Sequence, residues 1–214
     1  MERICQQEAI ALPSVEEIKA SVPGVCPVWQ VRELVTRAHQ ASCGLGVMCR
    51  DGLYQLVTIL NDIVAQKGAS GDIPLLQELC GIMELCNECE LSVRVAKLVL
   101  ASLEAHREDW ETHIERRACR ELVCMYTLYV APEQCTGCGQ CAAACPQNAI
   151  AGGEGMIHVI NDRLCNRCGS CVERCPAQCI RRAGAIRPRC PEKPVPVGSF
   201  AVGGLRKRSR IPRG

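Results

Sequence analysis

Eight cysteines in the C-terminal half of the chain follow one spacing that is written twice. Cys135-x2-Cys138-x2-Cys141-x3-Cys145-Pro146 recurs thirty residues later as Cys165-x2-Cys168-x2-Cys171-x3-Cys175-Pro176. Thiolates at this spacing hold [4Fe–4S] clusters, and the fourth cysteine of each run ligates the other cluster. The predicted ligands of cluster 1 are Cys135, Cys138, Cys141 and Cys175, and those of cluster 2 are Cys165, Cys168, Cys171 and Cys145. Structural zinc on two cysteine knuckles is the weaker alternative, because such knuckles do not need the trailing Cys-Pro in both copies.

The two runs belong to a thirty-residue internal repeat, so each half is expected to be unable to enclose its cluster alone. Thr127 to Val130 and Met156 to Ile160 are predicted to form short strands that bracket the motifs. Glycines in the runs let the backbone wrap closely around inorganic sulfide. The repeat therefore predicts a bacterial-type 2[4Fe–4S] ferredoxin domain over residues 127–186.

Length and composition favour small domains in which metal replaces part of the apolar core. The chain has 214 residues, 3% aromatics and a single Phe. Bound clusters can supply stability that apolar burial does not. We expect no membrane span and no signal peptide, and hence a cytoplasmic protein with reduced, metal-bound thiols rather than disulfides.

Apolar residues in the middle of the chain recur at helical spacing. One stripe runs from Leu53 to Val64, another follows Asp72, which is a candidate N-cap, and others cover Val31 to Gln40 and Val95 to Leu103. These stripes predict core packing and no chemistry. The expected fold class is α+β, with an N-terminal extension (1–27), a small helical bundle (28–116), a hinge (117–126) and the ferredoxin domain.

The C-terminal segment is basic. From Arg181 onward there are ten Lys or Arg residues and one acid, Glu192. Residues 187–214 are rich in Pro and Gly and lack periodic apolar residues, so we predict a disordered tail or a docking arm. Although the tail contains Lys207, Arg208 and Arg210, the chain shows no nucleic-acid-binding signature, and no nucleic-acid partner is expected.

Ser42-Cys43-Gly44-x4-Cys49-Arg50-x-Gly52, with Cys89 forty residues after Cys49, resembles a known cluster-binding signature. That signature belongs to the flavin-carrying subunit of complex I and of NAD(P)-linked [FeFe] hydrogenases. The resemblance covers residues 28–186 and is similar only to the C-terminal third of those subunits. Because the Gly-rich flavin and NADH-binding domain is not part of it, flavin and nicotinamide chemistry is not expected of this chain alone.

The resemblance implies a further cluster, but Gly46 stands where the family has its middle cysteine. Cys43, Cys49 and Cys89 then offer three thiolates where a cubane usually has four. Three outcomes remain open. Cys86 supplies the fourth ligand, the site holds a [3Fe–4S] cluster or a cubane with one non-cysteine ligand, or the site is degenerate and empty.

His113, Cys119 and Cys124 fall where the family has its His-Ile and Cys-rich elements, and related hydrogenase subunits have a zinc site there. Nitrogen and sulfur donors at this spacing suit tetrahedral structural zinc, with Cys26 as the candidate fourth ligand. The alternative is a histidine on a helix face beside two buried cysteines. The other histidines, His39, His106 and His158, are expected at the surface, and Cys179 is expected to serve packing.

The resemblance implies an iron–sulfur electron-transfer subunit or module of an NAD(P)H-linked oxidoreductase or hydrogenase complex that is not catalytic alone. Implied partners are a flavin/NAD(P)H-binding subunit, a [2Fe–2S] thioredoxin-like subunit, and a hydrogenase or ferredoxin. An independent ferredoxin-like electron carrier and a non-redox scaffold that retains clusters are the alternatives.

Overall fold

The computed structural model describes residues 10–86, 89–184 and 186–200 of the chain. The chain divides into two compact units, and the boundary falls between Tyr126 and Thr127. The first unit is helical, whereas the second contains short strands and two single-turn helices. The predicted α+β fold class is confirmed.

The first unit contains six α-helices and a π-helical turn. The α-helices are α1 (Val15–Lys19), α2 (Pro27–Ala41), α3 (Leu53–Val64), α4 (Asp72–Cys86), α5 (Glu90–Ala105) and α6 (Arg107–Glu115). The π-helical turn spans Met48–Gly52 and leads directly into α3. Helix α5 packs against α1, α2, α4 and α6 and so lies at the centre of this unit.

The core of the first unit follows the helical stripes of the sequence. Leu56 and Leu60 of α3 and Val95 and Val99 of α5 are fully buried, as the spacing predicts. Trp110 of α6 is also buried, and its indole N–H donates to Ser102 Oγ at 3.2 Å, which satisfies its polar atom.

Asp72 differs from its predicted role as an N-cap. It is the first residue of α4, and its carboxylate accepts the N–H of Ala69 at 2.8 Å. The side chain therefore bonds backward to the preceding turn, as Asp commonly does in loops, rather than forward into the helix.

The second unit is built from strand pairs that exchange partners between the two copies of the repeat. Its strands are β1 (Thr127–Val130), β2 (Ile150–Ala151), β3 (Met156–Ile157), β4 (Val159–Ile160), β5 (Ile180–Ala183) and β6 (Val195–Pro196). Strand β1 pairs antiparallel with β5, with Val130 opposite Ile180, and β2 pairs antiparallel with β4. The first strand of each copy thus pairs with the last strand of the other. The single-turn helices α7 (Gln140–Ala143) and α8 (Ser170–Glu173) also lie thirty residues apart.

Two of the three histidines expected at the surface are buried instead. His106 bonds through Nε2 to the carbonyl oxygen of Ile18 at 2.9 Å. His158 is 1% exposed, lies between β3 and β4, and packs on Gly152, where an added Cβ would approach the ring to 2.7 Å. His39 is half-buried. Each ring contributes mostly apolar surface, so a neutral imidazole can be buried where the backbone leaves room.

The basic C-terminal segment departs from the predicted disordered tail over residues 187–200. Strand β6 pairs with β3, with Val195 opposite Ile157, and the N–H of Val197 donates to the carbonyl of Gly155 at 2.9 Å. An edge strand can form here because its backbone groups find partners on β3 without needing a periodic apolar pattern. Lys207, Arg208 and Arg210 lie outside the described residues.

Residues 117–126, for which the sequence predicts a hinge, pack onto the helices of the first unit. Met125 is 1% exposed, and Glu121 accepts the N–H of Gly24 at 2.7 Å. Arg120 forms ion pairs with Glu108 and Asp109 of α6. The charged residues of this segment therefore hold it in place within its own unit.

Gly137 is required by a close backbone contact. A Cβ at this position would lie 2.8 Å from Gly155, and the residue has φ +70°. Thirty residues later, Arg167 has φ 62°, so the backbone conformation alone does not demand glycine. Gly139 has φ +74° but open space around a Cβ.

We predict that Gly137→Ala destabilises the second unit by about 1–3 kcal/mol more than Gly139→Ala, because only the former adds an overpacking clash. Both variants share the cost of a left-handed alanine, so the difference isolates the contact with Gly155. Thermal unfolding of the two full-length variants measures it, at about 4–8 °C per kcal/mol for a unit of this size. Equal melting temperatures would contradict the argument.

Candidate iron–sulfur and metal centres

The four cysteines predicted for cluster 1 lie together. Burial raises the pKa of Cys141 to about 11, and the neighbouring thiols of Cys135, Cys175 and Cys138 add to this shift. Cys141 is on α7, and Cys175 follows α8 of the other copy. The structure thus brings three thiols of the first run to the last thiol of the second run.

The four cysteines predicted for cluster 2 show the same exchange. Burial raises the pKa of Cys171, and the thiols of Cys165, Cys145 and Cys168 contribute. The four thiols line one cavity whose remaining walls include the apolar side chains Leu128, Ile150 and Ile160. Thiols around a dry cavity are the donor set that an iron–sulfur cluster takes. Which residue ligates which cluster stays a prediction.

Backbone and side-chain donors point at the sulfurs of these sets. The N–H of Ala149 donates to Cys145 Sγ at 3.3 Å. The hydroxyl of Ser170 lies 3.4 Å from Cys168 Sγ and lowers the pKa of that thiol. Such hydrogen bonds stabilise thiolate and are a lever on cluster reduction potential.

A more compact group lies in the first unit. Cys26, His113, Cys119 and Cys124 place their donor atoms all within 4.8 Å of one another, the only group of this kind in the part of the chain that the structure describes. Cys26 Sγ is 3.8 Å from Cys124 Sγ and 3.3 Å from His113 Nε2. A tetrahedral zinc with Zn–S of about 2.3 Å separates two sulfur ligands by about 3.8 Å. The group therefore fits one ion, whereas the eight ferredoxin cysteines are not grouped this tightly.

Neighbouring residues orient the donors of this group. His113 Nδ1 donates to the carbonyl oxygen of Asp109 at 2.7 Å, which leaves Nε2 free to bind a metal. Cys26 caps α2, and its sulfur accepts the N–H of Trp29 at 3.4 Å. Sequence reasoning missed Asp109, although its position four residues before His113 on a helix is the spacing of this contact.

Electrostatics in the group favour a cation. Hydrogen bonds from Cys124 and Cys26 lower the pKa of Cys119, so a thiolate is stabilised there. Burial alone would lower the pKa of His113, but the Cys119 and Cys26 sulfurs raise it to about 10. Positive charge beside these sulfurs is therefore stabilising, as binding of Zn²⁺ requires.

The third candidate site is only partly assembled. Cys49 is buried in the π-helical turn, with Cys89 Sγ 3.8 Å away. Burial and the Cys89 thiol raise the pKa of Cys49 to about 11. Cys43 is half-buried at the start of the loop that contains Gly46, and Cys86 is exposed at the end of α4. The alternatives for this site stay open.

Cys179, for which only packing is predicted, lies against cluster 1. Its sulfur is 3.4 Å from Cys175 Sγ, and the residue is buried. The signal in the sequence was the internal repeat, which aligns Cys179 with Ala149.

Comparison with known proteins defines the class of both units. Residues 29–113 match the NADH-ubiquinone oxidoreductase-F iron-sulfur binding region, and residues 127–176 match the 4Fe-4S dicluster domain. The chain is thus an iron–sulfur protein that joins these two regions, and both the predicted resemblance and the prediction of two [4Fe–4S] clusters are confirmed. Among the residues described, no helix is both long and apolar enough to cross a membrane.

Particular relatives carry the same combination of names. The chain is 31% identical over 113 residues to NADP-reducing hydrogenase subunit HndC of Solidesulfovibrio fructosivorans, covering 52% of this chain and 23% of the relative. It is 38% identical over 82 residues to the NADH-quinone oxidoreductase F subunit of Streptomyces coelicolor, covering 38% of this chain and 18% of the relative. For the F 2 subunit of the same oxidoreductase in Rhizobium meliloti the values are 33% over 94 residues, 44% and 22%. The chain spans about a fifth of the length of these curated relatives.

We predict that the purified protein contains about one zinc ion per chain and that Cys119→Ser removes it, because loss of one ligand breaks the tetrahedral set. Elemental analysis of both proteins measures this. Cys190→Ser is the matched control, because it makes the same chemical change outside the four-donor group and should retain the zinc. Zinc-free wild-type protein, or full zinc in Cys119→Ser, would show that the group is not a zinc site.

We predict that Gly46→Cys adds about four iron atoms per chain and a new EPR signal after reduction, because it completes the thiolate set of Cys43, Cys49 and Cys89. Gly71→Cys is the control, since it adds a thiol at an open turn before α4. If the wild-type protein already holds a complete and equally stable cluster at this site, Gly46 does not limit it and the ligand assignment is wrong.

Proposed function

We propose that this chain is an iron–sulfur electron-transfer subunit or module of an NAD(P)H-linked oxidoreductase or hydrogenase complex. Single electrons pass through its [4Fe–4S] clusters between a flavin-containing partner and a further redox protein. The chain itself is not catalytic and oxidises no nicotinamide alone.

The observation that carries the proposal is the double set of four cysteines in the second unit. Each set combines thiols of both copies of the repeat, and each fits a [4Fe–4S] cluster. A bound cluster supplies one-electron chemistry at low potential. Two clusters within one small unit are suited to passing an electron onward, and not merely to stabilising a fold.

The residues around each set have roles that suit electron transfer. We assign Cys135, Cys138, Cys141 and Cys175 to cluster 1, and Cys165, Cys168, Cys171 and Cys145 to cluster 2. Cys138 and Cys168 are exposed, while the other thiols are buried or half-buried. An exposed ligand gives an electron a short route to the surface, and the buried thiols exclude water from the rest of the cluster.

The partners follow from what the relatives are called. These relatives are subunits of NADP-reducing hydrogenase and NADH-quinone oxidoreductase, which supports membership of a multisubunit complex. We propose a flavin/NAD(P)H-binding subunit as electron donor or acceptor. The other partners are a [2Fe–2S] thioredoxin-like subunit and a hydrogenase or ferredoxin. The four-donor group, which we assign to structural zinc, supports the helical unit as a stable scaffold for such contacts.

The proposal predicts about eight iron and eight sulfide atoms in the second unit of anaerobically purified protein, with an EPR spectrum of two interacting clusters after dithionite reduction. Cys138→Ser should lose one cluster and weaken retention of the other, because both are held by the same exchanged strands. Fewer than about six iron atoms, or one isolated cluster in the wild-type protein, would contradict the assignment.

The link to nicotinamide is tested in the same preparation. NADH or NADPH should leave the cluster absorbance unchanged when added alone and should bleach it once a flavin-containing NAD(P)H-binding subunit is supplied. Cys138→Ser should show a smaller bleach under the same conditions. Bleaching by NADH or NADPH without that subunit would overturn the proposed division of labour.

A further inference from the structure

The two copies of the repeat differ at one buried position beside a cluster ligand. Cys179 follows Cys175-Pro176 in the second copy, and Ala149 occupies the equivalent position in the first. Both residues are buried, at 3% and 2% exposure. The side chain at this position therefore distinguishes two otherwise similar sites.

The backbone at this position does the same thing in both copies. The N–H of Ala149 donates to Cys145 Sγ at 3.3 Å, and the N–H of Cys179 donates to the sulfur of Cys175. The fourth ligand of each cluster thus receives a main-chain hydrogen bond from the residue four positions later. Only Cys175 has a second donor from that residue, since Cys179 Sγ lies 3.4 Å from Cys175 Sγ.

The geometry makes Cys179 the donor of this contact. Burial and the adjacent Cys175 sulfur raise the pKa of Cys179, so it keeps its proton. Burial alone would raise the pKa of Cys175, but the N–H and thiol of Cys179 and the N–H groups of residues 177 and 180 lower it. A thiolate at Cys175 facing a protonated Cys179 is the arrangement that ligation of iron by Cys175 requires.

Cluster 2 has a side-chain donor of its own, but in a different environment. The Ser170 hydroxyl lies 3.4 Å from Cys168 Sγ, and Cys168 is exposed. Water competes for a hydrogen bond at the surface, whereas the buried pair of Cys179 and Cys175 lies in a low-dielectric surrounding where the same interaction is stronger.

We propose that the Cys179 thiol donates a hydrogen bond to the Cys175 ligand and makes cluster 1 the more easily reduced of the two clusters. One electron from the reductant adds one negative charge at the cluster, which the S–H dipole stabilises, and the Cys179 proton stays on its sulfur. Electrons entering the second unit then come to rest on the cluster held by Cys135, Cys138, Cys141 and Cys175. This inference rests on the proposed function, because it requires both clusters to be bound.

The test is an anaerobic redox titration of the full chain followed by EPR, with iron and sulfide measured for every sample. Wild-type protein should show two distinct potentials. Cys179→Ala should lower the higher one by about tenfold in the reduction equilibrium, which is about 59 mV for one electron. Cys179→Ser retains a donor and should stay nearer the wild-type value.

Two matched variants assign the effect to this contact. Ala149→Cys places the same thiol beside Cys145 and should raise the lower potential, which narrows the gap from the other side. Ser170→Ala should change a potential by less than about threefold, because its contact is at the surface. Cys190→Ala removes a thiol that contacts the carbonyl of Val130 instead of a cluster ligand and should change neither potential.

The outcomes separate this inference from the proposed function. Equal wild-type potentials, or potentials that Cys179→Ala leaves unchanged while both clusters are loaded, overturn the role of Cys179 and leave the electron-transfer proposal standing. If Cys179→Ala fails to load both clusters, Cys179→Val fills the space without a donor and takes its place. Loss of cluster 1 in the Ala, Val and Ser variants together would mean that Cys179 is itself a ligand, which also overturns the proposal. Wild-type protein that lacks two clusters overturns both.

Discussion

Neither copy of the repeat holds a cluster without the other, and the second unit depends on that constraint. The first strand of each copy pairs with the last strand of the other, as β1 with β5 and β4 with β2. This exchange carries Cys145 and Cys175 across to the thiols of the opposite run. Strand pairing and cluster binding are therefore one cooperative event, because losing a cluster removes the bonds that hold the exchanged ends. Gly137 serves the same packing by allowing Gly155 to approach it.

The first unit uses cysteine differently from the second. Its helices have a conventional apolar core around α5, and the four-donor group joins the start of α2 to the end of α6 and to the loop that follows. That loop contains Arg117 and Leu122 with positive φ, a conformation that the surrounding contacts must stabilise. An ion bound by Cys26, His113, Cys119 and Cys124 would supply such contacts where apolar side chains are few.

The clusters of the second unit are surrounded by near-symmetric hydrogen bonds, and their differences matter more than their shared features. Main-chain donors to Cys145 and Cys175 are equivalent, so they shift both potentials alike. Side chains that differ between the copies, such as Cys179 and Ala149, are the available means of separating the potentials. A two-cluster protein acquires a preferred direction of electron flow only through such differences, because the repeat itself treats both sites equally.

The sequence by itself determined the features that depend on local spacing. The two cysteine runs, the exchanged fourth ligands and the helical stripes of α3 and α5 could all be predicted, because ligand spacing and hydrophobic period are properties of neighbouring residues. Tertiary structure decided what depends on residues distant in the chain. It brought Cys26 to His113 across 87 positions, buried His106 and His158, and paired Val195 with Ile157 in a segment without an apolar pattern. It also placed Cys179 against Cys175, because the direction of a buried side chain is set by the packing around it and not by its place in a motif.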